Sequence, residues 1–361
     1  MTNLLKTLAL IIIISFNSCK KDSPETSGAD GITFDSYTIQ LLDFISSSEG
    51  WIFVEENGQQ DSYKLLHSTD GFENYTVICE NIPRFRKMKF IDNKVGYGIS
   101  WDGSDKTYYT NDGGATWQNF TIPANDQEGS ESYDITYNDT YFVMPYKKEN
   151  SSYQLVAGIR FFKRSDFTFD HKVLFDTEAG KLYGGSSGTD THYSSVHVAN
   201  SGNVCFTGVF KVVASEDEDK SYGGYSTDGA NLTLVEIFGK KQKPERTFFS
   251  SDNTGFYTME DDANLYKTTN GGETWTSAYT FDDASKYKKI SFADDNNGAV
   301  LVGKTKLYIT KDGGATFESS SINGKYTEIN EVDFVDAGNI FVSVISVDDG
   351  ISKQKLLKIS N

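Results

Sequence analysis

One ten-residue phrase recurs down the chain. YYTNDGGATW (Tyr108–Trp117), YKTTNGGETW (Tyr266–Trp275) and YITKDGGATF (Tyr308–Phe317) are three clear copies. HSTDGFENY (His67–Tyr75) and YSTDGANL (Tyr225–Leu232) are weaker, and KRSDFTF (Lys163–Phe169) is a degenerate sixth. The central Asp or Asn residues stand at 70, 112, 166, 228, 270 and 312, so three of the five intervals are 42 residues and the others 54 and 62. A fixed period of roughly 20–50 residues means one supersecondary unit repeated, each burying its apolar face only against its neighbours.

A second pattern precedes each phrase: an alternating apolar run, a polar turn, then Gly and another apolar run. It reads MKFIDNKVGYGIS (Met88–Ser100), ISFADDNNGAVLVG (Ile290–Gly303), FFSSDNTGFYTM (Phe248–Met259) and VHVANSGNVCFTG (Val196–Gly208). VDFVDAGNIFVSV (Val332–Val344) and LDFISSSEGWIFV (Leu42–Val54) follow it, and DITYNDTYFVM (Asp134–Met144) fits without the Gly. That makes seven units, each read as strand, tight turn, strand, loop, strand, ten-residue phrase, strand. Period-2 alternation bounded by Asn, Asp and Gly turns specifies strands throughout, and no amphipathic helix stands out. Four-stranded units of about this period predict an all-β, seven-bladed β-propeller. Residues 32–361 number 330, about 47 per blade.

The ends support the count. KLLKIS (Lys355–Ser360) aligns with KLLHST (Lys64–Thr69), a third strand, and the chain then stops. Ile32-Thr33-Phe34, ahead of the first strand of blade 1, is expected to supply the missing fourth strand of the last blade and close the ring. A chain of 361 residues exceeds what a single core of roughly 250–300 residues supports, and a ring of small units removes the difficulty.

The first residues are not fold. Leu8–Ile14 is an apolar run too short to span a bilayer, followed by Asn17-Ser18-Cys19-Lys20-Lys21. This resembles a bacterial lipoprotein signal peptide of Bacteroidetes type, cut before an acylated Cys. The resemblance implies a signal over residues 1–18, a lipid on Cys19, a tether over 19–31 and the propeller over 32–361. It implies a protein lipid-anchored to the outer membrane of the cell envelope. Cys79 and Cys205 lie in apolar strand-like runs and read as small buried hydrophobes. The net charge of -17 disfavours nucleic acid, whose phosphates need an excess of Lys and Arg.

The ten-residue phrases resemble the Asp-box, or BNR repeat, of sortilin/sialidase-like propellers: Thr110, Asp112, Gly114, Thr116, Trp117; Thr310, Asp312, Gly314, Thr316, Phe317; and Thr268, Asn270, Gly272, Thr274, Trp275. Asp70 and Asp228 head the weaker copies. Their expected role is structural: the carboxylate or amide accepts backbone N–H bonds of its own turn, Gly supplies positive φ, and the ring packs beneath. The whole pattern, best seen in Phe90–Trp117 and Phe292–Phe317, resembles photosystem II stability/assembly factor-like propellers, which implies a non-enzymatic binding or assembly scaffold. Sialidases, with an Arg-Ile-Pro motif and six blades, and xyloglucanase-like paired propellers are the enzymatic alternatives; this chain has Asn81-Ile82-Pro83-Arg84 and one propeller, so neither catalytic set transfers.

Asp-boxes and the first-to-second-strand turns share one face of the ring, and the opposite, loop face is expected to carry function. Arg84, Arg86, Tyr133 and His192 sit at or just before innermost strands there, as do Tyr193, Arg246 and Tyr287, while Trp101 begins a second-to-third-strand loop. Three of the chain's five arginines fall at this rim, a pattern suited to carboxylate or other anions, with rim salt bridges as the plainer reading. The longest loops, 176–193 and 213–224, belong to the same face; Glu216–Asp219 offers Ca²⁺ ligands or simply a solvated acidic run. The expectation is a monomeric, non-catalytic propeller without cofactor or metal, binding a protein or polysaccharide; a glycosidase is the alternative.

Overall fold

The computed structural model describes residues 31–101, 106–123, 134–149, 155–174, 192–210, 220–226, 233–238, 244–259, 261–285, 288–321, 326–348 and 350–360. They form seven four-stranded antiparallel sheets, a seven-bladed β-propeller. Blade 1 follows the closing strand β1 (Ile32–Phe34) and comprises β2 (Tyr37–Phe44), β3 (Gly50–Glu56), β4 (Tyr63–Ser68) and β5 (Thr76–Glu80). Blade 2 is β6 (Phe85–Phe90), β7 (Gly96–Ser100), β8 (Thr107–Thr110) and β9 (Gln118–Asn119). Blade 3 is β10 (Thr136–Tyr137), β11 (Tyr141–Glu149), β12 (Leu155–Lys163) and β13 (Phe169–Leu174). Blade 4 is β14 (His192–Val198), β15 (Val204–Phe210), β16 (Lys220–Ser226) and β17 (Thr233–Phe238). Blade 5 is β18 (Pro244–Phe249), β19 (Gly255–Met259), β20 (Asn264–Thr268) and β21 (Thr276–Thr280), and blade 6 is β22 (Lys288–Phe292), β23 (Gly298–Val302), β24 (Lys306–Thr310) and β25 (Glu318–Ser321). Blade 7 is β26 (Tyr326–Asp336), β27 (Asn339–Asp348) and β28 (Ile351–Ser360), completed by β1. Ile32, Thr33 and Phe34 pair with Leu356, Lys355 and Gln354, so the N-terminal strand closes the ring as the alignment of the ends predicts. Of the 213–224 stretch read as loop, Lys220–Gly224 is strand instead; its Gly-Gly pair has no alternation to reveal it.

Two devices lock the blades together, and both come from the recurring first-to-second-strand pattern. Phe44, Phe90, Phe249 and Phe292 end their first strands directly opposite Gly50, Gly96, Gly255 and Gly298. Each ring lies over its glycine: a Cβ there would come within 2.9 Å of the ring at Gly96 and 2.2 Å at Gly298. Three of these rings stack on second-strand aromatics of the preceding blade. Phe90 lies 3.7 Å from Trp51, Phe292 3.9 Å from Phe256 and Phe44 3.6 Å from Phe341, centroid to centroid.

The second device is polar. Each innermost strand turns an edge toward the channel, and in blades 1, 2, 4 and 7 a side chain from the preceding blade accepts from one of its amides. Phe44 N donates to Asp333 Oδ2 at 2.7 Å, Phe334 N to Ser291 Oγ at 2.8 Å, Val196 N to Asp134 Oδ2 at 2.8 Å, and Phe90 N to Asp43.

The turns that carry the repeated phrases are built alike. Thr110 Oγ1 donates to Asp112 and accepts from Gly114 N at 2.9 Å, while Asp112 Oδ1 accepts from Thr116 N at 2.9 Å. The same set recurs at Thr310–Thr316 and Thr268–Thr274, with Asn270 as acceptor in the latter. Gly113, Gly271 and Gly313 amides donate to Lys94, Asn253 and Asn296 carbonyls of the first-to-second-strand turns, which puts both kinds of turn on one face. In blade 1 Phe72 occupies the place of Gly114 with φ of 69° and is fully buried beside Phe44.

Candidate functional site

Opposite those turns, the loop face is where the described rim residues collect. Arg84 immediately precedes β6 and Trp101 immediately follows β7, so the first-to-second-strand pairing brings them together: Trp101 N donates to Arg84 O at 2.8 Å. The Arg84 guanidinium carbon is 6.0 Å from the Trp101 ring centroid and 6.0 Å from that of Tyr63, which opens β4 of blade 1. Arg84 is exposed and meets no carboxylate among the described residues, so two aromatic rings hold a guanidinium toward solvent. Trp101 itself is 62% exposed. Tyr63 was absent from the sequence reading because it comes from another blade.

The remaining rim residues are more dispersed. Arg86 is half-buried within β6. His192 and Tyr193 open β14 and Arg246 lies near the start of β18, of which the backbone alone is described. Tyr133, Tyr287, Cys19, Asp228 and the Glu216–Asp219 run lie outside the described residues. Among the described residues no three His, Cys, Asp or Glu side chains are grouped to hold a metal ion. Of the phrase residues, Trp117 and Phe317 pack into the interfaces between blades 1 and 2 and between blades 5 and 6, and Trp275 packs against Tyr257.

Sequence reading named Trp101 but missed the apolar tip of blade 7. The large apolar side chains left exposed among the described residues are Trp101, Val347 at 46% and Ile351 at 63%. Val347 pairs with Ser352 and Ile351 with Asp348 at the hairpin between β27 and β28, so this pair crowns blade 7 on the loop face as Trp101 does blade 2. A second-to-third-strand alignment across blades would have found them, since isolated apolar residues at a hairpin tip have no core to join.

The channel forms a cavity of about 560 Å³ lined by all seven innermost strands. Lys89 Nζ lies 2.5 Å from Asp43 Oδ1, and Lys87 pairs with Asp134. Burial pushes the Asp43 pKa up to about 6, with Lys89 pulling it down and Asp333 adding to the rise. Burial likewise raises Asp333 against the opposing pull of Lys89. Burial works against the Lys89 charge, but Asp43 and Asp333 outweigh it and hold its pKa above the ordinary value. His197 stacks 4.2 Å from Phe249 and is held neutral, its pKa pushed down to about 4 by burial despite Asp252. Cys205 is buried and Cys79 half-buried, both with thiol pKa raised by burial. Asp43, Asp333, Lys89 and the Lys87–Asp134 pair are spent on one another and on strand edges, which makes them ties between blades.

No family model matches the chain, and no curated protein matches it. Solved structures do. YCF48 bound to D1 peptide is 14% identical with a TM-score of 0.55, covering 94% of this chain and 100% of that one. YCF48 from Cyanidioschyzon merolae is 16% identical with a TM-score of 0.53, covering 89% and 96%. A streptogramin B lyase is 10% identical with a TM-score of 0.57, covering 91% and 96%. At these identities the likeness is one of fold, and the fold houses both a peptide-bound protein and an enzyme.

Proposed function

We propose that the chain is a non-catalytic binding propeller of the cell envelope, anchored through a lipid on Cys19, whose loop face takes a protein partner in an assembly or scaffold role. The observation that carries this reading is that Trp101, Val347 and Ile351, apolar side chains exposed where the fold gains nothing from exposing them, lie on one face, with Arg84 beside the first. Aromatic and Arg side chains are the usual anchors of protein interfaces. YCF48 bound to D1 peptide lends support as a propeller of this fold carrying a peptide. The Asp-box carboxylates are committed to their own turns, which favours binding over glycoside cleavage.

A photo-crosslinking amino acid at position 351 tests the reading in cells, with position 94 on the opposite face as control. Protein adducts from 351 and none from 94 are the expected result. Adducts to polysaccharide alone, or none from either face, overturn it. Anchoring is tested separately: Cys19→Ala is expected to abolish labelling by a fatty-acid probe, and unchanged labelling rejects the lipid.

A further inference from the structure

At the end of the channel ringed by the first-to-second-strand turns, the innermost strands hold out main-chain donors that the protein leaves unused. The residue that follows each first strand donates back to the second, as Ile45 N does to Glu49 O, Asn138 N to Tyr141 O and Ser250 N to Thr254 O. Antiparallel alternation therefore turns the N–H and C=O of the residue before it into the channel. In three blades that amide is capped from the preceding blade: Phe44 by Asp333, Phe90 by Asp43 and Phe334 by Ser291. The equivalent amides of blades 3 to 6 belong to Tyr137, Val198, Phe249 and Phe292, which line the cavity as the capped three do. Here the preceding blades place Lys89, Thr136, His197 and Phe248 at the capping position. Lys89 is a donor and turns to Asp43, Phe248 has no polar atom, and Thr136 makes no bond to Val198 N. His197 lies flat on the Phe249 ring at 4.2 Å, with its Nε2 buried and unpartnered. Four amides on consecutive blades, at one level, thus meet no acceptor among the described residues.

We propose that this end of the channel binds a neutral saccharide of one or two rings. The cavity, about 560 Å³, has the size of a small-molecule site. The seven turns that ring it are all among the described residues, and they lie on the opposite face from the one taken to bind protein, so the two sites stand or fall separately. Its lip has two halves. Blades 7, 1 and 2 contribute the half-buried apolar side chains of Val335, Ile45 and Ile91. Blades 3 to 5 contribute Asn138, Asp139, Asn200 and Asp252. These are fixed in place by bonds from Asn138 Nδ2 to Ala199 O at 3.1 Å, from Asp139 N to Asn200 Oδ1 at 2.9 Å and from Asn200 N to Asp252 Oδ1 at 3.2 Å. They leave Asn200 Nδ2 to donate and Asp252 Oδ2 to accept. Charge decides the class of occupant. An anion would sit among the carboxylates of Asp139, Asp252 and Asp333, and a cation would face the four N–H groups and the Lys89 ammonium. A hydroxyl both donates and accepts, so it suits the unused amides and the carbonyls beside them, and it replaces water on those groups bond for bond. The C–H face of a sugar ring covers the apolar half of the lip.

The test is titration of the purified full chain, by saturation-transfer NMR and calorimetry, with glucose, galactose, mannose, N-acetylglucosamine, maltose and cellobiose. Glucuronate and glucosamine serve as the charged counterparts. At least one neutral sugar is expected to bind, at least 10-fold more tightly than either charged probe. Asn200→Trp sets an indole at the mouth, and His197→Asp offers the Phe249 amide the cap that Asp43 gives Phe90. Each should weaken binding at least 10-fold, while Lys353→Ala, in β28, should leave it unchanged. Thermal melting should confirm that each variant is folded. Binding of no neutral sugar means a channel that holds water alone and overturns the proposal. So does equal or tighter binding of glucuronate or glucosamine, or sugar binding indifferent to both channel variants.

Discussion

Asp43 and Asp333, from two neighbouring blades, share the ammonium of Lys89 from a third strand, and their chemistry sets the pH response at the ring's centre. Asp43 has a folded pKa of about 6, above the ordinary carboxylate value. The folded state therefore holds its proton longer than the unfolded chain, and this group's contribution to stability declines as pH rises from about 4 to about 6. Lys89→Met removes the compensating charge and should cost about 3 kcal/mol by urea denaturation, with a larger loss at pH 8 than at pH 5; a pH-independent loss would show that the carboxylates are not charge-coupled. Asp312 behaves oppositely. Bonds from Thr316 hold its pKa down to about 2, so its contribution is complete above the ordinary carboxylate value and lost as pH falls toward 2. Asp312→Asn should remove that acid limb yet leave the turn intact, because Asn270 already accepts the equivalent bond from Thr274 N. Thr110→Val strands the buried Gly114 amide and should lower stability by about 1–2 kcal/mol, measured by the same denaturation. At this scale the turns were legible, since their partners are four residues apart. The Tyr63–Arg84–Trp101 contact and the Lys89 cluster were not, because their members come from different blades or from opposite ends of a strand pair.

A blade is specified by the pairing of a first-strand Phe with a second-strand Gly. The glycine is chosen for space, and the ring it admits reaches the neighbouring blade. Gly298→Ala puts a methyl 2.2 Å from the Phe292 ring and should destabilise by about 1–3 kcal/mol; a neutral result in thermal melting would show that the ring can move aside. This pairing explains why the first-to-second-strand pattern counted blades correctly where the ten-residue phrase did not. The phrase is a surface turn that blade 3 can degrade, whereas the pattern makes the interface. Tyr137 facing Phe142 in blade 3, Val198 facing Val204 in blade 4 and Phe334 facing Ile340 in blade 7 are the three variants in which other packing replaces the glycine. Strand existence was thus readable, but strand length was not. In the sequence the ends of β11 (Lys147-Lys148-Glu149) and of β27 (Ser346-Val347-Asp348) carry no apolar alternation that separates them from loop.

For the whole ring, closure is the decisive contact. β1 buries Ile32 and Phe34 to 6% and 2% exposure, worth about 4 kcal/mol together. Deleting residues 31–36 should lower the melting temperature by about 10 °C, and an unchanged midpoint would mean that blade 7 is stable on three strands. The closing pair also fixes an order of events. Ile32 is among the first residues of the propeller to be made, and its partner Leu356 among the last. Until that partner exists, blade 7 has no outer strand and the channel no complete wall. A chain still being synthesised therefore cannot close its ring until β28 has been made, however stable its early blades. This end-to-end pairing keeps the ring open until β28 is made, and ring closure is expected to be the slow step of refolding.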